Sequence, residues 1–365
     1  MFQDGTTFGI GRRQWLRSVL GASAALGVGG LSLQAASPLR KLKVYVGRDE
    51  SLCHLPLTVA DQLGYFKAEG LDVQLIEQAT PVRGAELLAT SQADMVSGSC
   101  LQVLREQGVK KGPPLQAFVL EGRAPMVCMG VSPKLMPNYR GVRDLRGQRI
   151  GVSSAGSMTH VLAQLAIGKA GLRPDEVTWV GLGAMGDAAQ SLRAGEVQAL
   201  CHIDPAMTQL EQGGELRLIA DTRTLKGSQE VFGGPMPATC VFATRAFVEG
   251  NPQVCQAAAH AVVRALKWLQ TAEPPDIIKT VPEDQTMGDR ALYLAAFFRV
   301  RECYSPDGAV TPEAMRTAWS VAARLGLAGN GEAETVLARS FNNDFVTKAR
   351  VKLKAMGVTV QPRLS

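Results

Sequence analysis

Leu42-Lys43-Val44-Tyr45-Val46, Leu55-Pro56-Leu57-Thr58-Val59-Ala60-Asp61-Gln62-Leu63 and Leu71-Asp72-Val73-Gln74-Leu75-Ile76 succeed one another in the chain, and their periods decide the fold. The first alternates with period two, the spacing of a strand. In the second, Leu55, Val59 and Leu63 recur every four residues, which puts them on one stripe of a helix that closes at Tyr65-Phe66 before Gly70. The third is again a strand, and Gly47 to His54 forms the loop between the first strand and the helix. A helix around Ala85-Glu86-Leu87-Leu88 and a third strand, Ala93-Asp94-Met95-Val96-Ser97-Gly98, complete a parallel βαβαβ unit. Sheets of that kind take ligands outside the carboxyl ends of their strands.

The unit recurs. Arg149-Ile150-Gly151-Val152 reads as a strand, Ser153 to Thr159 as a loop and His160 to Ala170 as a helix capped by Gly171. Val177-Thr178-Trp179-Val180, a helix over Asp187 to Ala194, and Val197-Gln198-Ala199-Leu200-Cys201-His202 complete the second copy. Pro-bearing apolar stretches flank it, Arg123-Ala124-Pro125-Met126-Val127 before and Gly233-Gly234-Pro235-Met236-Pro237 after, and both read as strand-like crossings. Beyond Val241 the pattern is mainly helical: Val254, Ala258, Val262, Ala265 and Leu269 share one face, and Thr311-Pro312-Glu313 starts a helix. The expected architecture is α/β with two Rossmann-like lobes joined by two crossing segments. Residues 40–125 with 237–350 form lobe 1, 126–236 form lobe 2, and 351–365 form a tail. A cleft between the lobes favours hinge closure around a ligand.

Composition narrows the function. The 365 residues are 46% hydrophobic and 20% charged, a globular balance. The net charge of +6 falls to +4 without Arg12, Arg13, Arg17 and Asp4, and the remaining basic residues are scattered, so no nucleic-acid partner is expected. Gly11-Arg12-Arg13-Gln14-Trp15-Leu16-Arg17 before a Gly/Ala-rich stretch from Ser18 to Leu33 has the layout of a twin-arginine export signal over residues 1–36, cleaved near Ala35 or Ala36. That implies the Tat export machinery and the periplasm. Small residues dilute the stretch too far for a membrane span. Seven cysteines, without C-x-x-C or His/Cys spacing, indicate buried free thiols rather than a disulfide framework or a zinc site.

Motifs for catalysis are sparse. No G-x-S-x-G, Walker loop or H-E-x-x-H is present, and the chain holds four histidines, His54, His160, His202 and His260. Gly181-Leu182-Gly183-Ala184-Met185-Gly186 fits G-x-G-x-x-G after a strand, but the acidic partner of a dinucleotide site is missing where the next strand ends Leu200-Cys201-His202. No cofactor is expected. Ser153-Ser154-Ala155-Gly156-Ser157-Met158-Thr159 is better placed, joining a strand to a helix start. Its hydroxyls and N–H groups suit an oxyanion at the positive end of a helix dipole, where ordinary capping needs only one of them. Ser97-Gly98-Ser99 is the counterpart in the first unit.

Leu55 to Val73, with its P-L-x-V-A helix and Gly64-Tyr65-Phe66-Lys67-Ala68-Glu69-Gly70-Leu71-Asp72-Val73 turn, resembles the nitrate/sulfonate/taurine family of ABC-transporter solute-binding proteins, which includes thiamine-pyrimidine-precursor binders. Ala93-Asp94, Asp144-Leu145-Arg146-Gly147-Gln148-Arg149-Ile150-Gly151-Val152 and Leu192 to Leu200 resemble later landmarks, so the likeness runs from about Leu42 to Thr244. The resemblance implies a type II periplasmic-binding-protein fold and a monomer that captures a small-molecule ligand and docks on an ABC permease. The ligand contacts it implies are Asp49, Ser51 and His54, then Ser97, Gly98 and Ser99, then Ser153, Ser154, Ser157 and Thr159, with Asp204 beyond a second-lobe strand. A sulfonate-, nitrate- or taurine-like anion, a small carboxylate and a pyrimidine-like ring all fit these loops. Two rivals remain: an enzyme on the same fold using His54 or His202 with Asp49 or Asp204, and a periplasmic sensor. The cysteine-rich iron motif of the family's pyrimidine synthases is absent from the sequence.

Overall fold

The computed structural model describes residues 39–46, 52–77, 84–107, 112–183, 185–328 and 331–357. The export signal, Asp49 and Ser51 lie outside them. The described residues form ten strands: β1 (Arg40–Val46), β2 (Leu71–Glu77), β3 (Met95–Ser99), β4 (Leu115–Leu120), β5 (Val127–Val131), β6 (Arg149–Val152), β7 (Thr178–Gly181), β8 (Ala199–Ile203), β9 (Arg217–Asp221) and β10 (Thr239–Thr244). They make two five-stranded sheets, ordered β2-β1-β3-β10-β4 and β7-β6-β8-β5-β9. In each, three parallel strands come from one βαβαβ unit. One antiparallel strand, β10 or β5, then joins the unit to an edge strand.

Alternation along the strands sorts side chains between cores. In β1, Leu42, Val44 and Val46 face a core shared with the helices Leu55–Gln62, Pro252–Thr271 and Asp344–Ala355, while Tyr45 faces the other side. Val127, Met129 and Val131 of β5 and Ala199 and Cys201 of β8 join that second core, and Cys128 and Leu200 face a third under the helices Met185–Arg193 and Ala206–Gln212. The second core therefore draws residues from both sheets. The last helix runs to Ala355, through the position where a tail was expected.

The two crossings lie side by side. Glu121 N–H and Gly122 N–H donate to Thr239 O at 2.8 and 3.0 Å, and Ala238 N–H returns a bond to Gly122 O at 2.8 Å. The segments read as strand-like crossings prove to be leads into β5 and β10, which are full sheet members. Among the described residues no helix is long and apolar enough to cross a membrane, and no group of His, Cys, Asp and Glu side chains could hold a metal ion. The seven cysteines form no disulfide with one another, and six are buried.

Candidate functional site

The carboxyl end of β3 and the turn before the helix Leu55–Gln62 meet in a chain of three side chains. His54 Nδ1 lies 2.7 Å from Ser97 Oγ, and Ser97 Oγ lies 2.7 Å from Glu121 Oε2. Ser97 and Glu121 are buried, and His54 is half-buried. Burial pushes Glu121 up to about 8, opposed by its hydrogen bond to Ser97, and pushes His54 down to about 4. The second carboxyl oxygen of Glu121, Oε1, is buried without a partner among the described residues. Ser99 caps the helix Cys100–Arg105 by accepting from Leu101 N–H at 3.3 Å. Gly98 is held by its neighbours, since a Cβ there would meet Phe242 Cε1 at 3.1 Å.

The carboxyl end of β6 builds a second cluster. Ser153 Oγ is within 3.0 Å of Ser157 Oγ and 2.9 Å of Thr159 Oγ1, and Ser157 and Thr159 hydroxyls are 2.7 Å apart. Thr159 Oγ1 accepts from Ser153 N–H, and Ser157 caps the helix Met158–Lys169 through His160 N–H. Gly156 N–H donates to His160 Nδ1 at 3.0 Å, which leaves the ring proton of neutral His160 on Nε2. Nε2 of His160 and Oγ of Ser154 are both buried without partners among the described residues. Donors are therefore in surplus at this helix start. Gly156 has a φ of +76°, and a Cβ there would lie 3.6 Å from Arg105 Nη1, so a guanidinium from the first unit rests against the serine loop of the second.

Asp204 has other employment. It is 2% exposed, Thr208 N–H donates to its Oδ1 at 2.8 Å, and Arg223 Nη1 donates at 3.2 Å. Arg223, fully buried, also reaches Asp221 at 2.8 Å and Glu211 at 3.0 Å. Asp204 thus anchors a structural ion cluster, and its carboxylate oxygens are spent on protein groups. Neither ring nitrogen of His202 has a side-chain partner among the described residues, so the His202–Asp204 pairing of the enzyme rival is not made. Burial pushes His202 down to about 4.

The structure brings His54 and Ser97 into one hydrogen-bonded group and Ser153, Ser157 and Thr159 into another. Two residues of the site carried no sequence signal as ligand-binding groups. Glu121 ends an apolar run, Phe118-Val119-Leu120, and Arg105 ends a short helix. Their positions depend on packing between distant segments.

A family model described as NMT1/THI5 like matches residues 52–276. A solved protein of Bordetella bronchiseptica RB50 is 39% identical, with a TM-score of 0.79 over 86% of this chain and 98% of that one. The alkanesulfonate-binding protein SsuA of Xanthomonas axonopodis pv. citri, bound to MOPS, is 18% identical, with a TM-score of 0.65 over 84% of this chain and all of that one. The periplasmic nitrate-binding protein NrtA of Synechocystis PCC 6803 is 12% identical, with a TM-score of 0.65 over 89% and 92%. No curated protein matches the chain.

Proposed function

Since the chain belongs to the NMT1/THI5-like family and has the α/β fold of periplasmic binding proteins, we propose that it is the solute-binding component of an ABC importer. On this reading it is exported to the periplasm by a twin-arginine signal, captures a small polar or anionic solute between two lobes and presents the closed form to a permease. One observation carries the ligand class: the helix start at Ser153–Thr159 holds donor groups without acceptors among the described residues, Ser154 Oγ–H and His160 Nε2–H, beside the Arg105 guanidinium. Aligned donors, a helix dipole and a nearby cation favour a solute that brings acceptor oxygens, such as a sulfonate, nitrate or carboxylate. The sulfonate- and nitrate-binding proteins that share the fold bind solutes of that class.

The His54–Ser97–Glu121 group does not favour the enzyme reading. A hydrolytic triad needs the imidazole between hydroxyl and carboxylate, so that the base reaches the nucleophile's proton. Here the hydroxyl lies in the middle, and Ser97 is 1% exposed. Native mass spectrometry of the mature chain from its own host, before and after unfolding and refolding, tests the proposal. One small molecule released at one-to-one stoichiometry supports capture and gives its mass. A chain that stays empty with added sulfonates, nitrate, carboxylates and pyrimidines overturns it.

A further inference from the structure

Glu121 is a fully buried carboxyl that solute capture as described above does not use. Among the described residues Ser97 meets one of its oxygens, nothing meets the other, and no cation pairs with it. A carboxylate so placed is costly, because an ion taken out of water needs a counter-charge or several hydrogen bonds. The neutral acid removes the charge and supplies an O–H with an acceptor, Ser97 Oγ, 2.7 Å away. That choice fixes the hydrogens beyond it. A Ser97 oxygen accepting from Glu121 turns its own proton to His54 Nδ1, also 2.7 Å away. Nδ1 is then an acceptor, and the proton of the neutral imidazole must sit on Nε2. Ionising Glu121 reverses each bond: Ser97 donates to the carboxylate, Nδ1–H donates to Ser97, and Nε2 is left with a lone pair.

We propose that Glu121, acting through Ser97 as a positioning residue, sets the hydrogen-bonding polarity that His54 offers to the solute: a donor, suited to an oxyanion or carbonyl oxygen, while the carboxyl is neutral, and an acceptor once it ionises. This rests on and deepens the solute-binding reading. The donor surplus at Ser154 and His160 has the same polarity as the neutral form, so both halves of the site then ask for acceptor oxygens. The titratable groups packed around Glu121 do not compete near neutral pH. Burial pushes Cys240 of β10 and Tyr304 upward and His54 down to about 4.

The test is read on the ligand-free protein, which separates its failure from a failure of the solute reading. The chain is labelled with 15N-histidine, and two-bond 1H–15N spectra are recorded from pH 5.5 to 9.5, with His54 assigned by its loss in His54→Gln. The expected result is a neutral His54 with its proton on Nε2 below pH 7 that crosses to the Nδ1–H form as the pH passes about 8. The crossing should vanish in Glu121→Gln and in Ser97→Ala, each checked for native circular dichroism. A His54 tautomer that is constant with pH in the unmutated protein overturns the proposal. So does a crossing that survives in either folded variant.

Discussion

Burial of single ionisable groups gives this protein a pH-dependent stability of defined sign. Folded Glu121 holds its proton to about pH 8, against an ordinary carboxyl at 4.5, so between those values the native state binds one proton more than the unfolded chain. Its contribution is therefore full below pH 4.5 and is lost as the pH rises to 8, by about 1.4 kcal/mol per pH unit. His54 and His202 act with the opposite sign, because each stays neutral to about 4 when folded but takes a proton below 6.5 when unfolded. Urea denaturation across pH should thus find a maximum near 6.5, and Glu121→Gln should gain about 4 kcal/mol on the unmutated protein between pH 5 and pH 8. A parallel pair of profiles would contradict the buried neutral carboxyl. Arg223 makes a second case: removing its guanidinium strands the buried carboxylate of Asp204 and takes one partner each from Asp221 and Glu211, so Arg223→Met should lose about 3–5 kcal/mol at pH 7 in the same experiment. The polar residues at strand ends, His54, Ser97 and Ser153, were legible in the sequence as site candidates. Glu121 and the Arg223 cluster were not, since their burial is made by partners far along the chain, and Asp204 could not be told from a ligand contact without seeing Arg223.

Elements were legible where one face is apolar. β1 and β2 alternate, and the helix Leu55–Gln62 repeats every four residues, so the parallel core of each sheet could be read directly. β4 escaped because Ala117-Phe118-Val119-Leu120 is buried on both faces and shows no period, and β9 because Arg217–Asp221 is short and mixed. The antiparallel strands β5 and β10 were not read, only the segments leading into them, as crossings, since pairing across such distances leaves no local pattern. β5 also carries a constraint that its sequence conceals. A Cβ on Gly130 would fall 2.6 Å from Leu216 Cγ and 2.8 Å from the Arg217 carbonyl oxygen, at the point where the β5–β9 register shifts. The side chain of Leu216 could yield, but the strand backbone could not without breaking the ladder. Gly130→Ala should therefore cost about 1–3 kcal/mol, seen as a lowered midpoint in thermal unfolding with the His54–Ser97 group unaffected. A neutral outcome would mean that β9 can shift outward freely.

At the scale of the whole molecule, the two sheets are tied by more than their crossings. One buried core cluster holds Tyr45, Val96 and Phe242 from the first sheet with Val127, Ile150 and Cys201 from the second, and Phe232 and Met236 belong to it as well. Further from it, Arg299 reaches Glu211 at 2.7 Å, joining the helix Arg290–Val300 to the helix Ala206–Gln212, and Leu225 N–H donates to Glu302 Oε1 at 2.9 Å. A shared apolar core makes separate unfolding of either sheet expensive, because each would expose surface the other buries. The polar ties at the periphery are worth far less and can be exchanged for water as the proposed lobes move. The molecule should thus unfold in one calorimetric transition while still opening and closing as a folded body. A solute bound between the proposed lobes stabilises the folded state as a whole by mass action, about 2.7 kcal/mol at a concentration of 100 times Kd. For a chain of this size that raises the single midpoint by roughly 3–4 °C. Scanning calorimetry with and without the solute identified by native mass spectrometry checks both parts at once. Two resolved transitions, with the solute moving only one of them, would place the binding groups on one sheet alone and remove the basis for capture by closure.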